Sequence, residues 1–358
     1  MKKQDKILTI ILIAGLVAFV FFADSFFDSY IRRVLNLCAI YTILALSMNL
    51  INGFTGLFSL GHAGFMALGA YVVGIFTVPV ETRSMIFYLE PMHPAIADIE
   101  LPFIVALLAG GLLAAFVAFL IGAPVLRLRD DYLAIATLGF SEIIRIILTN
   151  TQNITNGSLG IKAIPTTANM YWIFGAMFLT VLLISLLLTS SYGRALKAIR
   201  EDEIAAEAMG INLFRHKMLS FMIGAFFAGI AGGLYGSLLG TVDPKNFMFV
   251  LTYNFLLIIV LGGMGSISGS VISAFVVTAG QEWLRWLDAP LSIGGWAIPL
   301  FRPGFRMVIF SLLLMTIVLF YPHGLMGTKE LCWDTLKNTA KRLTGGINNR
   351  RTKGGEVQ

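Results

Sequence analysis

The sequence has little charge, few cysteines and few histidines. Only 13% of its 358 residues are charged, whereas typical soluble domains carry about 25%. The two cysteines, Cys38 and Cys332, give no plausible disulfide or metal framework. The four histidines are scattered and give no zinc pattern. We therefore expect neither a disulfide scaffold nor a bound metal.

Motifs of nucleotide binding and catalysis are also missing. The sequence contains no GxxxxGK[ST] phosphate loop. A GxGxxG pattern beginning at Gly263 fails because Ser268 stands where the third glycine belongs, and the stretch follows an apolar run. No Ser/His/Asp arrangement is evident around the histidines. The sequence therefore predicts a protein that is not an enzyme, with no catalytic residues.

What the sequence does have is apolar runs: 57% of its residues are hydrophobic. About 20 apolar residues are needed to cross the hydrocarbon core. We predict an all-α polytopic membrane protein with about ten transmembrane helices, at 7–23, 34–51, 57–78, 101–121, 132–148, 170–190, 218–240, 248–262, 267–286 and 305–321. The run near the N-terminus lacks a small-x-small cleavage pattern, so we interpret it as an uncleaved first span rather than a signal peptide.

Basic residues predict the orientation of these spans. Ten spans place both termini on one side, and 17 Lys and Arg residues then lie on that side against eight on the other. Loops rich in Lys and Arg remain in the cytoplasm. The sequence therefore predicts cytoplasmic termini, a transmembrane domain over residues 1–328 and a basic cytoplasmic tail over 329–358.

The most charged internal segment, residues 191–217, lies between two very hydrophobic stretches. Its first half has the pattern of an amphipathic helix. Leu196, Ile199, Ala206 and Met209 share one side of that helix, and the acidic residues lie elsewhere. The charge count places the segment in the cytoplasm, where docking a soluble partner would explain a polar helix between spans.

Several features predict either a transport pathway or tight packing. Residues 132–148 and 248–262 look short or interrupted, and the turn at 52–56 breaks a long apolar hairpin; broken spans often mark transport pathways. Glu142 and Arg145 lie on one helical face and can neutralise each other, as a pathway lining or a structural ion pair. Gly232, Gly236 and Gly240 form a small-residue stripe, for which we favour packing within the subunit.

Six stretches together resemble the membrane subunits of branched-chain amino acid ABC importers, of the LivM type. These are NLINGFTGLFSLGHAGFMALGAY (49–71), DYLAIATLGF (131–140), TNGSLGIKAIP (155–165), GRALKAIREDEIAAEAMGINLFRHKMLSFMIGAFFAGIAGGLYG (193–236), VLGGMGSISG (260–269) and YPHGLMG (321–327). They cover most of the chain in family order. The urea importer permeases are close relatives of this family.

The resemblance implies a permease subunit without ATPase activity in the bacterial inner membrane. Its partners would be a second homologous permease, two cytoplasmic ATPases and an external or periplasmic amino-acid-binding protein. No cofactor would belong to this chain, because the ATPases would use ATP and magnesium. No nucleic acid is implied; the remaining contact is with membrane lipid.

The resemblance also makes 191–217 the segment that couples to the ATPases. The broad importer pattern is EAA, three residues and Gly. Counting back from Gly210 places Ile204 at the acidic position, so Glu203 and Glu207 flank the motif instead. The residues predicted for coupling are Arg200, Glu203, Ala206, Glu207 and Gly210. The predicted pathway residues are Asn49, Ser59, His62, Thr137, Glu142, Arg145 and Asn254.

Three functions remain open from the sequence. The first is the importer permease, for branched-chain amino acids or, alternatively, for urea or other small amides. The second is an ion-coupled secondary transporter, which the broken spans and the Glu142/Arg145 pair would also suit. The third is an intramembrane enzyme, which would need a nucleophile and base that the sequence does not offer.

Overall fold

The computed structural model describes residues 15–16, 18–128, 130–288, 292–293, 296–297, 304–321, 324–327 and 330. In this part of the chain, helices dominate, beginning with a helical stretch over 18–26. The helices up to the charged segment are α1 (Ser29–Asn49), α2 (His62–Thr77), α3 (Val80–Ile86), α4 (Pro94–Ala97), α5 (Phe103–Val125), α6 (Asp130–Asn150), α7 (Gln152–Thr155) and α8 (Met170–Thr189). The remainder are α9 (Ser191–Glu201), α10 (Glu203–Ala208), α11 (Leu213–Leu239), α12 (Phe249–Gly262), α13 (Ile267–Trp283) and α14 (Phe305–Phe320).

Shorter elements join these helices. A π-helical turn (Leu50–Phe54) continues α1, and short 3-10 helices cover Gly157–Leu159, Pro244–Phe247 and Leu284–Asp288. The strands β1 (Ser292–Ile293) and β2 (Trp296–Ala297) pair antiparallel as a small hairpin. Helices supply the transmembrane structure, so the predicted all-α class is confirmed.

The described residues contain five helical segments long and apolar enough to cross a membrane, or six if α2 and α3, bent by 117° at their junction, form one span. α12 has 14 residues, about 21 Å at the usual helical rise, and does not reach across a core of about 30 Å by itself. Most of the predicted first span and nearly all of the predicted tail lie outside the described residues. The count of ten spans therefore stays a prediction.

The centre of the bundle is the packing of α11 against α2 and α5. The helices approach closely because glycines face backbone: a Cβ on Gly232 would collide with the carbonyl oxygen of Met66, and one on Gly69 would collide with Gly229. This confirms that the glycine stripe packs within the subunit. Gly240 has a different role, because it ends α11 in the left-handed conformation, with φ of 70°.

Three predicted boundaries were wrong. The span expected over 57–78 begins only at His62, because residues 56–61 are not helical. The break expected at 52–56 comes later, since the π-helical turn carries the helix through Phe54. The helix expected to be short at 132–148 is α6, which has 21 residues. The shortness of 248–262 is confirmed by α12.

The loops between the helices lie at the two ends of the bundle in the groups that the predicted topology requires. At one end, the His93 amide donates to the Asn153 carbonyl at 2.9 Å, and Ile161 pairs with Val242. At the other end, Arg200 of α9 reaches the turn after α1, and Leu325 reaches the end of α12. Loops predicted to share a side therefore contact each other. Which end faces the cytoplasm stays a prediction.

Candidate coupling site and buried polar junction

The charged segment folds as two short helices rather than one. Asp202 has extended backbone, with φ of −158°, and its carboxylate accepts from the amides of Ile204 and Ala205 at 2.9 and 3.0 Å. An aspartate at this position caps the start of a helix by satisfying its free N–H groups. α9 therefore stops at Glu201, and α10 starts as a separate helix at Glu203.

The break changes which side chains the segment presents. Of the four residues predicted to share one side, Leu196, Ile199 and Ala206 are buried, but Met209 is 83% exposed. The prediction that Met209 shares their side was wrong, because α10 ends at Ala208 and the chain turns at Gly210, where φ is 82°. Ile204 is 82% exposed as well. Two large apolar side chains thus project from the segment.

The residues predicted for coupling differ in their exposure to solvent. Glu207 and Gly210 are exposed beside Ile204 and Met209. Ala206 is buried, and the Glu203 carboxylate accepts from the Lys217 ammonium at 2.6 Å. Beneath α9 and α10 lies a groove of about 570 Å³, lined by both helices, residues 55–58 and the start of α11. The segment therefore presents an irregular, partly apolar surface.

Arg200 connects this segment to the interior. Its Nη1 donates to the carbonyl of Gly53 at 2.9 Å, and its Nε and Nη2 donate to the Glu201 carboxylate. A Cβ on Gly265 would lie 2.6 Å from the same Nη1, so glycine at 265 leaves room for the guanidinium. Two turns far apart in sequence therefore meet at one arginine.

Asn49 joins the same two turns from inside the bundle. Its Nδ2 donates to the Ser266 carbonyl at 2.9 Å and to Ser270 Oγ at 2.8 Å, and its Oδ1 accepts from the Gly265 amide at 2.9 Å. The side chain is fully buried. Because every one of these bonds ends on α13 or its preceding turn, Asn49 fastens α1 to α13.

The end of the described chain packs on this region. The amides of Leu325 and Met326 donate to the carbonyls of Leu261 and Gly262, at 2.7 and 3.2 Å. The Glu330 carboxylate accepts from the amides of Ile267 and Ser268, at 2.6 and 3.0 Å, and so caps α13. Gly53, Asn49, the 262–266 turn, residues 324–327 and Glu330 together form what we call the polar junction. Glu330 falls in the predicted tail, whose boundary stays a prediction.

A second polar set holds the non-helical segment before α2. The Asn52 amide exchanges hydrogen bonds with the backbone of Ser59, at 3.2 and 3.3 Å. Thr137 Oγ1 accepts from the Leu60 amide at 2.9 Å, and Thr252 Oγ1 accepts from Ala63 at 3.1 Å. Irregular backbone within a membrane needs such internal partners. Ser59 and Thr137, predicted for the pathway, thus lie where they support a broken span.

His62 begins α2 and is fully buried. Its Nε2 lies 2.9 Å from Ser47 Oγ, and among the described residues its Nδ1 has no hydrogen-bond partner. Ser47 belongs to α1, so this contact joins the first residue of α2 to α1, directly after the non-helical segment.

Glu142 and Arg145 form an ion pair, with 2.7 Å between Nε and Oε2. The other carboxylate oxygen of Glu142 accepts from the amide of Phe249, the first residue of α12, at 3.2 Å. Asn254, one turn further along α12, is partly buried. Glu142 and Arg145 therefore lie together where α6 contacts the start of α12, and no hydrogen bond with Asn254 is seen in the described structure.

Sequence reasoning missed Asn52, Asp202, Thr252, Gly265 and Glu330. The Asp202–Glu203 pair before an apolar stretch is the ordinary signal of a helix start and could have revealed the break. Thr252 and Glu330 bond backbone more than 60 positions away, so a single sequence carries no signal for their contacts. Asn52 bonds Ser59, only seven positions along the chain, but across a non-helical segment that no periodic pattern describes. Within the described residues no group of three or more His, Cys, Asp or Glu side chains could hold a metal ion.

Comparison with known proteins identifies relatives over most of the chain. Residues 30–321 match the family described as "Branched-chain amino acid transport system / permease component". The LivM protein of the high-affinity branched-chain amino acid transport system of Escherichia coli K12 is 37% identical over 298 residues, which cover 73% of this chain and 66% of the relative. The chain thus spans just under two thirds of that relative's length. No solved structure gives a significant match.

Two more distant relatives align over more of their length. A probable LivM permease of Methanocaldococcus jannaschii is 25% identical over 346 residues, covering 88% of this chain and 98% of the relative. The LivH permease of Salmonella typhimurium is 25% identical over 332 residues, covering 87% and 98%. The similarity therefore extends to two kinds of permease named for branched-chain amino acid transport.

Proposed function

The chain belongs to the permease family of branched-chain amino acid transport systems, and we propose that it is the permease subunit of an ATP-driven importer. Its substrates would be leucine, isoleucine and valine, carried across the bacterial inner membrane. Both termini and the α9–α10 segment would face the cytoplasm, as the distribution of basic residues predicts. ATP and magnesium would be bound by separate ATPase subunits.

The observation that carries this proposal is the surface of α9 and α10. Ile204 and Met209, each more than four-fifths exposed, project beside Glu207 and Gly210 at one end of the bundle. An apolar pair surrounded by charge in this position suits a protein partner better than water, because large exposed side chains of this kind are anchors in interfaces. A cytoplasmic ATPase is the partner that an importer permease requires.

The partners on the other faces follow from the family. Similarity to both LivM and LivH proteins supports pairing with a second homologous permease. An external or periplasmic binding protein would deliver the amino acid, so this chain would need only weak contacts with its substrate. Substrate specificity would then rest largely with the binding protein.

The contacts of Arg200 suggest how motion reaches the membrane. A displacement of α9 by the ATPases would pull on the Gly53 carbonyl through its hydrogen bond with Arg200. It would also move the Arg200 guanidinium away from or against the backbone of Gly265. Asn49 ties the same turns to α13, so the pull would act on α1 and α13 together. Movement of these helices would alternate the pathway between inward-facing and outward-facing states.

An ion-coupled carrier receives less support from the same structure. The Glu142 carboxylate is occupied by Arg145 and by the amide of Phe249. These contacts account for the charge as an ion pair and a helix cap, without a coupling ion. Glu142 therefore gives no reason to prefer a carrier, whereas the exposed α9–α10 surface favours the importer.

Two matched substitutions test the ATPase contact. Met209→Glu adds a charge to the α9–α10 surface, and Met85→Glu does so on α3, at the other end, where the methionine is 80% exposed. We expect Met209→Glu, Glu207→Lys and Gly210→Trp to reduce co-purification of the ATPases and uptake about tenfold or more, and Met85→Glu to leave the co-purification intact. Equal ATPase recovery from all variants would contradict the proposal.

The substrate is tested separately by competition. Uptake of labelled leucine into cells that carry the complete transporter should be reduced by isoleucine and valine and left unchanged by urea. Competition by urea alone would assign the chain to the small-amide importers. Uptake by the purified chain in proteoliposomes, driven by a proton or sodium gradient without ATP, would instead support the ion-coupled carrier.

A further inference from the structure

A polar cavity lies at the end of the bundle opposite α9 and α10. It has a volume of about 550 Å³ and lies between the start of α1, the start of α8 and the end of α11. Its lining includes the charged residues Asp24, Arg32 and Arg33 and the amides Asn36 and Asn169, with the hydroxyl groups of Ser29, Thr166 and Tyr171. Its volume falls within the range of about 300–1,000 Å³ that is usual for small-molecule sites. None of these residues takes part in the coupling site or the polar junction.

Two polar atoms in this cavity lack partners. Asn36 is only 7% exposed, and neither its Oδ1 nor the Nε of Arg32 has a hydrogen-bond partner among the described residues. Buried polar atoms are nearly always hydrogen-bonded, because a donor or acceptor that is removed from water without a new partner destabilises the structure. The Arg32 Nε–H needs a hydrogen-bond acceptor, and the Asn36 Oδ1 needs a hydrogen-bond donor.

The charges around these atoms have both signs. The Arg32 guanidinium lies 3.5 Å from the Asp24 carboxylate and 3.4 Å from Ser29 Oγ, which is long for strong hydrogen bonds. Arg33 adds a second positive charge on the same lining and is exposed. The cavity therefore offers guanidinium donors to an oxyanion, and the oxygens of Asp24 and Asn36 to a cationic N–H group.

We propose that this cavity binds a zwitterion that carries an oxyanion and an N–H ammonium group, and that the ligand is the substrate amino acid before it enters the permease. The α-carboxylate would accept from Arg32, assisted by Arg33. The ammonium would donate to Asn36 Oδ1 and Asp24. The identity of the ligand as substrate rests on the proposed function, which also places the cavity on the external face.

A simple anion fits this lining less well. Chloride or phosphate would satisfy the arginines but would leave Asn36 Oδ1 without a donor and would approach the Asp24 carboxylate. A phosphatidylethanolamine headgroup shares the chemistry of an amino acid, because it has both a phosphate and a primary ammonium. The lipid is therefore the second source of the same ligand chemistry, and the experiment must separate the two.

The test measures leucine binding to the full chain, purified with the subunits that accompany it, in nanodiscs without phosphatidylethanolamine. We expect Arg32→Gln and Asn36→Leu to weaken leucine binding about tenfold, since each removes a hydrogen bond to a charged group. Lys162→Gln removes an exposed charge from the same predicted face but outside the cavity, and should leave binding unchanged. 4-Methylpentanoate and isoamylamine, which each lack one charge, should compete poorly.

The lipid arm repeats the measurement with phosphatidylethanolamine in the nanodiscs. Leucine binding that persists there, and remains sensitive to Arg32→Gln, identifies the amino acid as the ligand. Loss of leucine binding, together with retention of the lipid by wild type but not by Arg32→Gln in native mass spectrometry, identifies the headgroup instead. If Arg32→Gln, Asn36→Leu and Lys162→Gln all match wild type for both ligands, the zwitterion site is refuted.

Failure of this proposal is distinguishable from failure of the proposed function. Met209→Glu should reduce ATPase recovery without changing leucine binding, and Arg32→Gln should do the reverse. Arg32 lies on the cavity lining with about a third of its side chain exposed, so its substitution should not prevent folding. Equal ATPase recovery from wild type and Arg32→Gln verifies this directly.

Discussion

The two ends of the bundle are each held by an arginine that binds backbone carbonyls, but in different ways. At one end Arg83 makes five hydrogen bonds to the carbonyls of Val78, Ile96, Ala97 and Ile99, all within one connection. At the other end Arg200 reaches a single carbonyl, that of Gly53, 147 positions away in the chain. Arg83 thus uses all its donors locally, whereas Arg200 joins elements that are far apart in sequence.

From this difference, together with the proposed function, we infer a fixed end and a movable one. Arg83 is buried, and its removal would leave several carbonyls of the same connection without donors. Arg200 is partly exposed and shares its charge with Glu201 at the surface. A joint built from one carbonyl and one exposed carboxylate can break and reform at small cost, as the transmission of motion requires.

The largest expected effect comes from Arg83→Ala. The substitution removes all five donors from a buried site, and we expect a loss of roughly 3 kcal/mol in the free energy of unfolding. Thermal unfolding of the purified protein in detergent measures it. Arg285→Ala is the matched control, because the Arg285 side chain is mostly exposed and its change should stay within about 0.5 kcal/mol. Equal destabilisation by both substitutions would remove the distinction between the ends.

Thr137→Val probes the broken span between the two ends. Valine keeps the shape of threonine but cannot accept from the Leu60 amide, which the Thr137 hydroxyl binds at 2.9 Å. We expect a loss of about 1–2 kcal/mol, since a buried N–H is left without an acceptor. Thr149→Val is the control, because that hydroxyl only donates within its own helix, to the carbonyl of Arg145. A larger effect for Thr149→Val in the same unfolding assay would contradict this explanation.

Local patterns in the sequence predicted much of this architecture. The apolar runs predicted helices that the structure contains, and the glycines of α11 predicted close packing within the subunit. The ion pair of Glu142 and Arg145 was predicted from their spacing alone. Each of these features depends on residues that are neighbours along one helix, so a single sequence contains the information.

The polar contacts between distant segments could not be predicted in the same way. Asn49 contacts Ser266 and Ser270, more than 200 positions away, and Glu330 caps a helix that starts 63 positions earlier. Nothing local distinguishes such residues from other polar side chains. Met209 was misplaced for a related reason: the helical pattern was extended past Asp202, although the capping aspartate interrupts it.

Arg200→Met tests whether the movable joint transmits force. Association with the ATPases should persist, because the exposed residues of α10 are unchanged, while uptake should fall about tenfold once the link to Gly53 is lost. The unfolding free energy should change by only about 1 kcal/mol. Arg194→Met, on the exposed face of the same helix, controls for loss of charge. Equal loss of association and uptake would make Arg200 part of the interface rather than a link.

The smallest expected effect concerns the ion pair of Glu203 and Lys217. Substitution of Glu203 and substitution of Lys217 should change the free energy of unfolding by different amounts. The Lys217 side chain is only 10% exposed, whereas that of Glu203 is 50% exposed. Glu203→Gln leaves a nearly buried ammonium without its carboxylate and should cost about 1 kcal/mol. Lys217→Met replaces the charge with an apolar chain of similar length, and the unpaired carboxylate can turn to water, so the change should stay within about 0.5 kcal/mol.

This asymmetry bears on the movable end because it identifies which partner is anchored there. Lys217 belongs to α11, the central helix, and Glu203 to α10, the segment proposed to move. If Glu203→Gln destabilises the fold more than Lys217→Met in thermal unfolding, the ammonium is a fixed point on the bundle that α10 contacts through an exposed, exchangeable carboxylate. If Lys217→Met destabilises the fold more than Glu203→Gln, α10 is itself anchored by Glu203. The α9–α10 segment would then be too firmly held to move and to transmit that movement through Arg200.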